Sequence, residues 1–337
     1  MQIGVVGASG YLGAELLRLL AGHPALKVAV VQADSSAGAR VSDLYPNLAP
    51  FYGELVFSPL DAGGLGGLDA VFIALPSGRS QDFVPTLAGS VPLVVDLGGD
   101  FRLKDASLYP IWYGFEHRVP ELLGRFVYGL PELFRPELVG ASLIAAPGCY
   151  VTAAALALAP LVKEGVIEST GIVVDAASGS SGAGRSPSAS FHHPVVNESF
   201  SAYGLINHRH TPEMEQAIGA QILFTPHLAP MTRGILATCY GRAVDSDAGS
   251  RALDVLEAAY RDEPFVQVSA AARSTRDTYG CNTVQVTARY DARTGYVVSL
   301  AALDNLVKGG AGQAIQAANL ALGLEETLGL PTVGLVP

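Results

Sequence analysis

The chain has 337 residues, 49% of them hydrophobic and 15% charged, and a formal net charge of −10 at pH 7. That length suffices for two domains with separate cores. The acidic balance, with four lysines and no basic run, excludes an electrostatic footprint for nucleic acid or for an anionic membrane surface.

Residues 2–6 read as a short buried strand, and the apolar residues of 11–21 recur at helical spacing. Residues 26–32, 69–75 and 91–96 are further runs rich in valine and isoleucine, with a glycine-rich loop at 62–67. This alternation predicts an α/β domain with a doubly wound parallel sheet of the Rossmann type. Residues 152–161 are an alanine-rich helix. After it the texture changes: 171–177, 221–225, 234–240, 283–290 and 296–303 are strand-like, and 251–261 is the clearest helix among them. Such a series predicts an α+β domain with a mainly antiparallel or mixed sheet. Residues 310–322 return to a helical pattern.

The segment Met1-Gln2-Ile3-Gly4 lacks the cationic and apolar opening of a signal peptide. The longest apolar run, 153–162, contains Pro160 and is too short to span a bilayer. Three cysteines, Cys149, Cys239 and Cys281, suit a reducing compartment better than a disulfide framework, so the expected location is cytoplasmic.

Gly7-Ala8-Ser9-Gly10-Tyr11-Leu12-Gly13 follows the first strand and opens the first helix. Glycines there permit a tight turn and close backbone approach, and a helix N-terminus favours a pyrophosphate. A turn serving only packing is the competing reading. At the end of the second strand, Asp34 stands where an acid would bind the ribose of NAD, whereas Ser35, Ser36 and Arg40 suit a 2′-phosphate. No lysine follows a tyrosine by four positions, which excludes short-chain dehydrogenase chemistry.

Cys149 sits between Pro147-Gly148 and the alanine-rich helix, where peptide dipoles favour thiolate over thiol. A thiolate with a nicotinamide cofactor implies attack on an acyl carbon, a thioester and hydride transfer. Asn207-His208-Arg209-His210-Thr211-Pro212-Glu213 supplies two imidazoles ahead of a threonine cap and a proline at the first helical position. Paired histidines are also metal ligands, but no cysteine or carboxylate pattern completes such a site, and none is expected. The small-residue loop from Ser178 and Gly179 to Arg185 offers backbone N–H groups and a guanidinium to anions. Arg102, in Asp100-Phe101-Arg102, offers a second guanidinium. His192, His193, Asn197, Glu198 and Tyr203 are candidates to line a polar pocket.

Taken together, these motifs, with Phe224-Thr225-Pro226-His227-Leu228 and Asp304-Asn305-Leu306-Val307-Lys308-Gly309, resemble the N-acetyl-γ-glutamyl-phosphate reductase family of the aspartate-semialdehyde dehydrogenase superfamily. The resemblance covers nearly the whole chain. It implies a dinucleotide-binding domain of residues 1–148 with 308–337, and a catalytic and oligomerisation domain of 149–307. It further implies NADP-dependent reduction of an N-acetylated γ-glutamyl phosphate in arginine biosynthesis, with phosphate released and Cys149 as nucleophile. His210 is the first choice for acid/base and His208 the second. Arg102 and Arg185 are to hold the substrate's anionic groups, while Asn305 and Gly309 meet the nicotinamide; the protein is expected to be a homo-oligomer, a dimer or tetramer. Asn207 replaces a usual glycine, Val151 a usual proline and Cys281 a usual serine. Asp34 is repulsive to a 2′-phosphate, which keeps NAD open beside NADP. The alternatives are an aminoadipyl or aspartyl phosphate substrate, or a non-enzymatic dinucleotide-sensing regulator.

Overall fold

The structure, a computed structural model, describes residues 1 to 335. Val336 and Pro337, which the expected domain division assigned to the first domain, lie outside the described residues. The chain forms two compact units, one of Met1–Pro147 with Gly310–Leu330, the other of Gly148–Gly309 with the segment from Pro331 onward. The C-terminal segment groups with the second unit through paired backbone: Pro331 and Tyr279 carbonyls accept from the Asn282 and Leu335 amides.

The first unit is a six-stranded parallel sheet. Its strands are β1 (Gln2–Val6), β2 (Lys27–Gln32), β3 (Ala70–Ile73), β4 (Leu93–Asp96), β5 (Val127–Tyr128) and β6 (Leu143–Ala145), in the order β2-β1-β3-β4-β6-β5. Every residue of β3 and β4 is buried, which is why those strands read as unbroken apolar runs. The register aligns Val6, Ile73, Asp96 and Ala145 across the sheet. Their successors, Gly7, Ala74, Leu97 and Ala146, therefore share the carboxyl edge, where open α/β sheets bind ligands. The Gly312–Ala321 helix completes this unit: Gln313 donates to the Gly129 carbonyl, Gln316 to Glu132 and Glu326, and Asn319 to the Glu326 and Leu328 carbonyls.

The second unit carries a seven-stranded mixed sheet of β7 (Ile172–Ser178), β8 (Ser201–Ala202), β9 (Ile222–Leu228), β10 (Ile235–Arg242), β11 (Val266–Val268), β12 (Val284–Asp291) and β13 (Tyr296–Leu303), in the order β11-β12-β13-β10-β7-β9-β8. The β7–β9 and β11–β12 pairs are parallel and the other pairs antiparallel. Burial alternates along β7 and β10, so one face of the sheet is closed and the other is partly open. The closed face packs against the helix Cys149–Lys163.

That helix begins three residues earlier than its alanine run suggests. Gly148 is the N-cap, with extended backbone, and Cys149 is the first helical residue. It also runs through Pro160, whose ring nitrogen cannot donate to the Leu156 carbonyl. The Tyr260 hydroxyl donates to that carbonyl instead, at 2.8 Å, and the Ser299 hydroxyl donates to Ala157 at 2.9 Å. The Tyr260 hydroxyl thus replaces the one donor that proline removes, and Ser299 adds a second bond at the next carbonyl. Among the described residues, no helix is long and apolar enough to cross a membrane. Tyr260→Phe deletes the replacement donor for a buried carbonyl. It is expected to destabilise the second unit by about 1 to 2 kcal/mol, read as a lowered urea midpoint.

Candidate active site

Helix geometry places Cys149 where the first-turn N–H groups point past its side chain, at the positive end of fifteen aligned residues. Cys149 is half-buried, whereas Cys239 and Cys281 are buried, and burial pushes the Cys239 thiol far up. Only the first of the three combines access with a helix N-terminus.

His210 closes on this position from a segment sixty residues away. It is the N-cap of the helix Thr211–Ile218, one residue earlier than the expected threonine cap, and Pro212 sits at the second helical position. Its ring lies flat against Gly148: a methyl group built there would stand 2.5 Å from His210 Nε2 and 2.7 Å from Cε1. A side chain at 148 is therefore incompatible with this imidazole. Glu213, in the first turn of the same helix, is fully buried and accepts the Gly148 N–H at 2.8 Å.

His208 has a different task. Its Nδ1 accepts the backbone N–H of His210 at 3.1 Å, which fixes an unprotonated nitrogen toward the main chain. Its ring is edge-on to Tyr150, Tyr203, Phe224 and His210. Burial in this aromatic nest, and secondarily Arg209, push its pKa down to about 4. It is neutral at pH 7 and shapes the wall beside His210. Tyr203 donates its hydroxyl to Tyr150 at 3.1 Å, and Tyr150 donates to the His227 carbonyl at 3.0 Å. Burial holds the Tyr150 phenol protonated and so able to donate.

The loop after β7 is built differently from its sequence reading. The amides of Gly179, Ser180, Ser181 and Gly182 donate to the carbonyls of Gly234, Met231, Thr232 and Gly179. Those donors are spent within the protein, so they are not an anion-binding nest. A Cβ on Gly179 would meet the Thr232 carbonyl oxygen at 2.6 Å, so the close crossing of these segments requires glycine. Ser178 is buried at the end of β7, while Arg185, Asn197 and Glu198 are exposed beyond it. Asn305 is buried and braces this loop: its carbonyl accepts from Gly234 at 2.8 Å and its amide donates to Ser181 at 3.0 Å. Gly309 packs on Cys149, where an added Cβ would be 2.8 Å from the cysteine's own.

In the first unit, Arg102 is buried and donates to the carbonyls of Ala146 and Leu97 at 2.8 and 2.9 Å. Burial and the neighbouring Asp100 push the Asp96 carboxyl up, and Arg102 offsets part of that repulsion. Arg102 thus braces the strand ends that lead to Pro147. The glycine turn shows a shape made for close approach. Gly7 has φ +78 and its missing Cβ would lie 2.4 Å from the Ala74 oxygen; that of Gly13 would meet Ala8 Cα at 2.5 Å. Gly10 is the N-cap of the helix Tyr11–Ala21, and an added Cβ there would make only ordinary contact, 3.5 Å from the Gly7 carbonyl oxygen. Ser9, Tyr11 and Leu12 complete this turn. Asp34 and Ser35 are exposed, Ser36 is half-buried, and Arg40 pairs with Glu54 at 3.5 Å on the surface.

Sequence reasoning missed Gly148, Tyr150 and Glu213 as parts of the site. Glu213 carried a local signal, an acid in a first helical turn, that points to ordinary dipole pairing. Its partner is far away in sequence and left no local trace.

The first 140 or so residues, 2–141, match a family described as the semialdehyde dehydrogenase NAD binding domain, and residues 149–305 match the semialdehyde dehydrogenase dimerisation domain. An N-acetyl-gamma-glutamyl-phosphate reductase from Symbiobacterium thermophilum is 44% identical, covering 99% of this chain and 98% of its own. A protein of the same name from Brevibacillus brevis is 43% identical over the whole of both chains. Among solved structures, aspartate semialdehyde dehydrogenase II from Vibrio cholerae superposes with a TM-score of 0.70 at 17% identity, covering 96% of this chain and 98% of that one. The aspartate semialdehyde dehydrogenase from Candida albicans, solved with NADP, gives 0.65 at 15% identity over 95% and 97%. These two likenesses speak to the fold.

Gly148→Ala is expected to displace His210 and lower kcat on the order of a hundredfold, the usual cost of misplacing a reacting group by about 1 Å. Steady-state kinetics beside an unchanged far-UV spectrum checks this.

Proposed function

The chain belongs to the N-acetyl-γ-glutamyl-phosphate reductase family of semialdehyde dehydrogenases, and from that premise we propose that Cys149 and His210 carry its chemistry. The reaction reduces N-acetyl-L-glutamyl 5-phosphate to the 5-semialdehyde and phosphate. The observation that supports the assignment is a cysteine opening a helix with an imidazole against the preceding glycine.

His210 takes the thiol proton, and Cys149 Sγ attacks the acyl carbon. The bond from that carbon to the phosphate oxygen breaks, and His210 returns the proton to the departing phosphate. The acyl group is left on Cys149 as a thioester. A nicotinamide dinucleotide, when bound, supplies the hydride that reduces this carbon. The first-turn N–H groups of the cysteine helix stabilise the negative charge that then gathers on the acyl oxygen. As the aldehyde forms, the carbon–sulfur bond breaks and the thiolate is reprotonated from solvent through His210. His208, neutral and bonded to the backbone, keeps the neighbouring ring in place.

Gly7, Ser9, Gly10, Tyr11, Leu12 and Gly13 would hold the pyrophosphate of that dinucleotide, since this turn follows the first strand and opens the helix Tyr11–Ala21, whose N-terminus favours an anion. Ser35, Ser36 and Arg40 suit a 2′-phosphate, so NADP is the proposed cofactor. Asp34 opposes it and leaves use of NAD open. Arg185, Ser178, Asn197 and Glu198 remain proposed substrate contacts, with Arg185 the exposed guanidinium for an anionic group. Arg102 remains a proposed contact to the substrate's anionic groups. The dimerisation-domain match and the partly open sheet face support a homo-oligomer, and the three free thiols support a reducing, cytoplasmic setting.

Cys149→Ser is expected to abolish the reverse reaction, in which N-acetylglutamate semialdehyde and phosphate reduce NADP, while cofactor binding persists. His210→Asn should lower kcat more than His208→Asn; the opposite ranking would exchange their roles. Assays with aspartate semialdehyde and the one-carbon-longer homologue test the substrate. Asp34→Ser should raise the NADP-to-NAD ratio of kcat/KM, by roughly threefold to tenfold for one surface charge near a phosphate. An unchanged ratio would dismiss the repulsion.

A further inference from the structure

Tyr45 has no step in this chemistry, yet its hydroxyl reaches across 36 positions of sequence to donate to the Ser9 carbonyl, inside the glycine turn, at 2.7 Å. We propose that Tyr45 is a positioning residue for the cofactor: its phenol locks the Ser9–Gly10 peptide and so holds the glycine turn in its anion-binding shape before the dinucleotide arrives. This rests on the reading of that turn as the dinucleotide site.

The Ser9–Gly10 peptide is bonded at both ends, its carbonyl by Tyr45 and its N–H by the Gly7 carbonyl at 3.1 Å. It lies just ahead of the helix Tyr11–Ala21, whose first-turn N–H groups have no partner inside the helix and favour an anion. Gly10 has φ −80 and ψ 170, but a glycine adopts positive φ at no steric cost, so its own backbone does not select this orientation. A bond from outside the turn does select it. A turn fixed in advance spares binding the cost of ordering it.

Tyr45 is itself well held. Pro46 confines it to extended backbone, at φ −132 and ψ 80. Its N–H donates to the Val41 carbonyl at 2.8 Å, and its carbonyl accepts from Leu48 at 2.9 Å. Val41 in turn donates to the Leu55 carbonyl, and Phe57 to that of Ala39. The phenol therefore reaches the turn from a segment anchored independently of it. That segment also carries Ser35, Ser36 and Arg40, the residues proposed for the 2′-phosphate. One stretch of chain, residues 35–45, thus bears on both ends of the adenosine half of the cofactor.

The test is Tyr45→Phe, which removes the hydrogen bond and keeps the ring. Fluorescence titration with NADPH, without substrate, should show Kd raised roughly threefold to tenfold, the worth of one partly buried hydrogen bond. In the reverse reaction at saturating NADP, kcat and the KM for N-acetylglutamate semialdehyde should stay within about twofold of wild type. Amide exchange in the cofactor-free enzyme reads the lock directly. Residues 7–13 should exchange on the order of tenfold faster in Tyr45→Phe, with the Gly312–Ala321 helix unchanged. An unchanged Kd, even beside a lowered urea midpoint, would overturn the proposal, because the bond would then serve stability alone. A raised Kd with unaltered exchange in residues 7–13 would overturn it as well. If NADPH does not slow exchange of residues 7–13 in the wild-type enzyme, the reading of the turn as the dinucleotide site is what fails, and the proposal falls with it.

Discussion

The contact between the His210 ring and the bare Cα of Gly148 is the constraint around which the second unit is arranged. Imidazole chemistry beside a thiol demands closeness, and side chains at the start of a helix ordinarily prevent it. A glycine before the cysteine removes that obstacle, and a proline before the glycine keeps the incoming chain out of the helical region. With the approach opened, the remaining positions are fixed from outside: Glu213 on the Gly148 amide, Gly309 against the Cys149 side chain, and Tyr150 anchored to the β9 strand through the His227 carbonyl.

A second theme is how completely the polar groups near this contact are committed. The loop after β7 looks on paper like a phosphate cradle, but its amides are tied to the chain between Met231 and Gly234, and Asn305 links the two. Asp304 is equally occupied, accepting the amides of Gly280, Leu306 and Val307. In the first unit Arg102 and Asp100 do similar bracing, Asp100 by accepting from Gly78 and Gln81. Buried groups whose hydrogen bonds are satisfied internally make rigid supports, because releasing one costs its desolvation. Preorganisation of this kind suits the proposed pairing of a thiol with an imidazole.

The two histidines show how environment divides labour between identical side chains. They are two residues apart, yet one caps a helix against a glycine and the other is enclosed by aromatic rings with a nitrogen turned to the main chain. Enclosure pushes the His208 pKa down to about 4, so its ring is neutral at pH 7. Proximity in sequence would have made either a candidate.

The sequence by itself determined the class of the protein and put forward the side chains proposed to carry its chemistry. Apolar runs separated by helical spacing mark a buried parallel sheet because both its faces are covered, and Tyr296–Leu303 reads as the strand it is. The helix start at Cys149 was legible to within a turn, since Pro-Gly followed by alanines is local information. Three matters lay beyond it. Pro160 inside the helix is tolerated only because Tyr260, a hundred residues on, supplies the missing donor. The loop from Ser178 is closed rather than receptive because distant carbonyls take its amides. Glu213 and Gly148 meet only after the helices are packed. Local propensity registers the backbone each residue prefers; which donor finds which acceptor across sixty or a hundred residues is decided by packing, and that is where the division of roles in this site was made.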